Sequence, residues 1–189
     1  KLEEAFSNKF GDDSYKIFSE GISKYGSFTE DKPLDAMIDT SNIHGWLQDK
    51  VSKTEGRLSY FITNSIKAFG DEALAIALKI YEKHGEECGK EVNDNGENEN
   101  ALLLFKNLNN YVLDGMPCDH VNSLKIKTED LVEWETTTCI HKKYWEEVSG
   151  DVKVFYDLRE AFTSSFIKSA NPEFTYIKTD DSHHRILKG

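Results

Sequence analysis

The chain has 189 residues, 23 of them Lys or Arg and 34 Asp or Glu, for a formal charge of −11, with 38% hydrophobic and 12% aromatic residues. That charge opposes nonspecific binding to phosphate backbones, and the aromatic content excludes global disorder, which needs low hydrophobicity as well as high charge. No run of ~18 apolar residues could cross a membrane as a helix, and Cys88, Cys118 and Cys139 are too scattered for a disulfide framework or a paired-cysteine zinc motif.

The first seventy residues read as helical, with candidates at Asp12 to Lys24, Leu34 to Ser52 and Glu55 to Phe69, punctuated by Gly26, Pro33 and Gly56. Gly45 weakens the middle candidate. Asp71 to Val92 places Leu74, Ala77, Leu78, Tyr81 and Cys88 at helical spacing, with Asp71 and Glu72 in the first turn, where carboxylates suit the helix dipole. Phe10-Gly11-Asp12-Asp13 and Phe69-Gly70-Asp71-Glu72 repeat one start signal at an offset of 59 residues, each followed further on by Lys-x-Gly. Two helices sharing start and stop chemistry explain this more simply than duplication. Residues 93–100 contain no apolar side chain and read as a solvated loop, followed by a helix over Glu97 to Leu113 that Gly115 and Pro117 end.

Beyond Pro117 the pattern turns to β. His120 to Lys127 and Asp130 to Thr138 form one expected hairpin around Thr128-Glu129, and Glu173 to Thr179 with His183 to Leu187 a second around Asp180-Asp181. Between them lie a short helix over His141 to Val148 and a longer one over Val152 to Ser169. The fold expected is α+β: a helical N-terminal half, then a small antiparallel sheet of about four strands with packed helices. It is read as one domain over residues 1–189, mainly helical over 1–116 and sheet-containing over 117–189.

P-loop, GxGxxG, GxSxG and HExxH patterns are all absent from the sequence, so chemistry must rest on constellations. Cys139-Ile140-His141 stands where a strand passes into a helix, a place that lowers a thiol's pKa and gives it an imidazole base if the strand continues. The plainer alternative is a packed cysteine beside a surface histidine. Asp157-x-x-Glu160 puts two carboxylates on one helix face, able to hold a metal or divide acid and base roles, or simply solvated beside Arg159. Of His183 and His184, adjacent on a strand, only one can face the helices. If that histidine meets Asp157 and Glu160, the set suits a divalent iron, manganese or zinc ion. His44, His84 and His120 are isolated, and Trp46, Trp134 and Trp145 read as core or pocket wall.

Phe69-Gly70-Asp71-Glu72-Ala73-Leu74 through His84-Gly85-x-x-Cys88-Gly89 resembles the central helix of the L-2-amino-thiazoline-4-carboxylate hydrolase-like proteins. Val132 to Cys139 resembles that family's strand leading to a cysteine, and Phe155 to Phe162 with Asn171-Pro172 and Phe174 its helix and Asn-Pro turn. Asp181-Ser182-His183-His184 resembles its closing segment, and the likeness spans roughly residues 60–188. The resemblance keeps Cys139 as a family cysteine, sets Asp157-x-x-Glu160 where the family has Cys-x-x-Asp, and sets His184 where it has its last cysteine. Soft ligands are thereby exchanged for harder ones.

The resemblance implies an enzyme on a small amino-acid-like substrate. Cys139 or a metal-bound water attacks the C=N carbon of a thiazoline-like ring, His141 or His184 moves protons, and Asp157 and Glu160 hold a metal or the substrate amine. A metal-dependent (iron) oxygenase using Asp157, Glu160 and His184, and a non-catalytic ligand-binding sensor, are the alternatives. The expected partner is a small molecule, not nucleic acid or membrane, with a homo-oligomer left open. Having no visible signal-peptide pattern, the chain is expected to be cytoplasmic.

Overall fold

The computed structural model describes residues 1–27 and 32–189. Its elements are α1 (Leu2–Phe10), α2 (Asp12–Tyr25), α3 (Leu34–Met37), α4 (Ile43–Phe69), α5 (Asp71–Asp94), α6 (Ala101–Tyr111), β1 (Asn122–Lys127), β2 (Leu131–Thr136), α7 (Lys142–Glu147), α8 (Val152–Ala170), β3 (Phe174–Lys178) and β4 (His183–Lys188). The expected α+β layout is present: a helical N-terminal half, then one four-stranded antiparallel sheet in the order β1-β2-β4-β3. The chain divides into two compact units, Lys1–Ile76 with His141–Val152, and Ala77–Ile140 with Lys153–Gly189. This division does not follow the change from helix to sheet near residue 117. It assigns α7, which lies between two strands in sequence, to the helical unit.

In that first unit the repeated Phe-Gly-acidic signal works the same way twice. Gly11 and Gly70 adopt φ 62 and φ 65, a left-handed conformation that a Cβ disfavours. Each glycine ends one helix and starts the next, and Phe10 and Phe69 just before them stack with centroids 4.1 Å apart and planes 3° apart. The likeness ends there. Gly26 terminates α2, whereas Gly85 lies inside α5.

The middle helices divide differently from the sequence reading. The interruption falls at residues 38–42, and Asn42 opens α4 by accepting from the Gly45 N–H at 3.0 Å, a side-chain cap that satisfies one orphan donor. Gly56 does not end a helix but sits within α4, where a Cβ would run into the Tyr25 ring. Helix α7 and the residues flanking it bond to α4: His141 Nδ1 to Glu55 Oε1 at 3.1 Å, Ser52 Oγ to Tyr144 Oη at 2.9 Å, and Lys67 Nζ to the Val148 carbonyl at 3.0 Å. Beside these contacts Trp145 is fully buried.

In the second unit, alternation along the strands turns Val132, Trp134, Phe174 and Ile186 toward α6 and α8, where Leu104, Leu108, Phe162, Phe166 and Ile167 complete the core. Helices α5 and α8 approach backbone to backbone. A Cβ on Gly85 would collide with the Phe162 carbonyl oxygen, and one on Gly89 with that of Phe166. The polar run over 93–100 is bonded to its surroundings. Asn98 donates to the Ala170 carbonyl, Asn171 donates to the Asn98 carbonyl, and Asn100 caps α6.

Gly85→Ala is expected to destabilise the protein by more than about 2 kcal/mol, because backbone must move to admit the methyl. Gly96→Ala, at φ 70 with open space around it, should cost only about 1 kcal/mol of backbone strain. Urea unfolding midpoints of the two variants measure the difference.

Candidate functional site

The inner face of the sheet continues past its apolar residues into a polar end. On β4, His184 points inward and is buried, while His183 points outward. The outer histidine bonds to the Asp180 carboxylate at 2.9 Å. Backbone N–H groups of Ser182, then the His183 ring and backbone, hold that carboxyl far below the usual range. His184 stacks on Trp134, its partner across β2, with centroids 5.2 Å apart and planes at 18°. Burial first, and the Lys178 charge second, push its pKa down to about 4, so the imidazole is neutral at neutral pH.

Both ring nitrogens of His184 are engaged, and the partners fix the tautomer. Thr136 Oγ1 donates to Asn122 Oδ1 at 2.9 Å, so its oxygen accepts from His184 Nε2 at 3.3 Å. The Nδ1 atom then accepts from the Tyr176 hydroxyl at 2.8 Å. Asn122 Nδ2 in turn donates to Asp114 Oδ2 at 2.9 Å, and Asp114 Oδ1 accepts from Arg159 Nη1 at 2.5 Å. Donors therefore point from Tyr176 through His184, Thr136 and Asn122 to one carboxylate, which a guanidinium neutralises. Burial and then the Glu160 charge raise the Tyr176 phenol well above its ordinary value. It stays protonated, as its donating role requires.

One turn of α8 supplies the rest. Tyr156 lies against Cys139, and burial first, with the hydrogen bond to that thiol second, raises the phenol strongly. Cys139 itself is exposed. Glu160 faces Lys178, the residue paired with His184 across β3, with Nζ to Oε2 at 3.7 Å. Asp157 instead binds Lys153 one turn back, both oxygens at 2.8 Å.

The structure thus gathers Asp114, Asn122, Thr136, Cys139, Tyr156, Arg159, Glu160, Tyr176, Lys178 and His184 in the sheet-containing unit. It does not gather Asp157, Glu160 and His184 as a ligand set, since each has other partners. Among the described residues no group of three or more His, Cys, Asp and Glu side chains is placed to hold a metal ion. Strand β2 stops at Thr136, short of both Cys139 and His141, so strand alternation does not set that expected pair on one face, and His141 is bonded to Glu55 within the helical unit.

No family model, curated protein or solved structure matches the chain.

Sequence reasoning did not single out Tyr176 and Lys178, although alternation through Phe174, Tyr176 and Lys178 would have put all three on the face of His184. It could not find Asp114, Asn122 or Thr136, which are ordinary polar residues joined only by the fold. Among the described residues no helix is long and apolar enough to cross a membrane.

An NMR titration of the imidazole should give a His184 midpoint near 4. The unfolded chain binds this proton near pH 6.5 and the folded one only near pH 4, so stability from this site is complete above 6.5 and is lost as the pH falls toward 4. In urea unfolding, the slope of stability over that window should flatten in His184→Gln; an unchanged slope would remove the assignment.

Proposed function

We propose that the protein is a hydrolase-type enzyme on a small amino-acid-derived molecule, in the manner of the L-2-amino-thiazoline-4-carboxylate hydrolase-like proteins it resembles, with Cys139 as nucleophile. The observation that supports this reading is an exposed Cys139 thiol in contact with the Tyr156 phenol, which burial and that contact raise above its ordinary value. Sγ adds to the ring C=N carbon while the ring nitrogen takes up a proton. Collapse breaks the ring C–S bond and releases the ring sulfur as a thiol. Water then attacks the carbon and frees Cys139.

In this reading His184 does not shuttle protons. It is neutral and doubly hydrogen-bonded, and it holds Tyr176 and the polar end of the sheet in place. His141 acts within its own unit. Glu160 faces the substrate amine. The metal-dependent alternative requires Asp157, Glu160 and His184 to exchange Lys153, Lys178 and Tyr176 for an ion, and metal analysis of the purified protein tests it directly.

Turnover of a 2-aminothiazoline-4-carboxylate, followed by release of thiol, should fall by more than about a thousandfold in Cys139→Ser and about tenfold in Tyr156→Phe. His141→Gln should lower stability while leaving the per-molecule rate of the folded fraction unchanged. Full turnover in Cys139→Ser would remove the thiol from the mechanism.

A further inference from the structure

One charged group in this unit has donors without acceptors. The Lys178 side chain is 13% exposed, and its ammonium lies 3.7 Å from Glu160 and 3.9 Å from Asp181. Both distances exceed a hydrogen bond. Asp181 is fully exposed and Glu160 nearly half exposed, so solvent screens both attractions. An ammonium carries three N–H donors, and Lys178 hydrogen-bonds to no acceptor among the described residues.

Its neighbours are differently placed. Arg159 spends its guanidinium on Asp114 and the Leu113 carbonyl, and Lys153 binds both Asp157 oxygens. Lys178 is therefore the cation of the cluster with open capacity. It stands 5.9 Å from the centre of the Tyr156 ring, the residue that also touches Cys139.

We propose that Lys178 receives the carboxylate of the ligand while Glu160, beside it, receives the ligand's ammonium. A small α-amino acid carries one charge of each sign and matches the pair. A lone anion would meet Lys178 but be opposed by Glu160, and a dianion such as phosphate more so. The Tyr156 ring forms one wall, which brings an amino-acid-like ligand next to the thiol. This deepens the hydrolase reading by naming what recognises the substrate, but binding does not depend on Cys139 reacting.

The probes are L-alanine, acetate and methylammonium, with the Lys178 Cε and His184 ring resonances followed by NMR. L-Alanine should shift both saturably and bind about tenfold more tightly than acetate, and methylammonium should leave Lys178 unmoved. Lys178→Met should abolish the His184 response to L-alanine, Lys178→Arg should retain it, and Glu160→Gln should reduce L-alanine to the affinity of acetate. Because the arginine variant keeps the charge, it reads out binding even if the methionine variant folds poorly. No saturable shift with L-alanine or acetate, or an unchanged response in Lys178→Met, overturns the proposal. Binding intact in a Cys139→Ser protein that has lost turnover supports both readings. Binding intact with turnover also unchanged in Cys139→Ser removes only the nucleophile.

Discussion

Because Gly85 and Gly89 carry no side chains, the carbonyls of Phe162 and Phe166 come down directly onto α5, and α8 is held at a depth that any larger residue would forbid. That depth decides what the rest of α8 reaches. Its apolar side fills the space beneath Trp134, Ile186 and Phe174. Its first turns carry Tyr156, Arg159 and Glu160 to Cys139, Asp114 and Lys178. A helix displaced outward by one methyl would loosen a core in which side chains interlock at crystal-like density, and would lengthen the 2.5 Å contact of Arg159 with Asp114, which tolerates little change.

The polar end of the sheet follows from that packing. A histidine and a tyrosine buried side by side are costly unless each polar atom finds a partner. Here they satisfy one another, and the surplus donors run in one direction to Asp114, whose charge Arg159 balances. Burial keeps His184 in its neutral form and Tyr176 in its protonated form. Such a network makes a rigid rather than a titrating frame. The groups left with unused capacity, Lys178 and the Cys139 thiol, stand at its margin and not within it.

Most of the −11 charge has structural or solvated roles. Asp12, Asp13, Asp71 and Glu72 open helices, and exposed pairs such as Lys53–Asp49 and Lys90–Glu86 span single helical turns, where each contributes less than about 1 kcal/mol. In the helical unit, small residues do what larger ones could not. Gly21 and Gly56 let α2 and α4 close on Tyr60 and Tyr25. Ser14 on α2 and Ser65 on α4 are buried as well.

Much of the fold was legible in the sequence, because it rests on local periodicity and on turn chemistry. Both hairpins, the acidic helix starts, the Gly11 and Gly70 corners and the inward turn of one of two adjacent histidines follow from residues near each other in the chain. Gly45 and Gly56 misled, since a glycine in a helix can mark either an end or a close approach, and only the neighbour it meets, Asn42 or Tyr25, tells which. The site was legible only in part. Cys139, Glu160 and His184 were named, but their partners were not, because Asp114 to Arg159, Tyr156 to Cys139 and Lys178 to Glu160 are joined across helix and strand by packing that no local spacing encodes. The sequence by itself determined the elements and a few of the residues that could carry chemistry. The tertiary structure decided which of them meet, since a hydrogen bond depends on a few tenths of an ångström that only the packed helix and sheet provide.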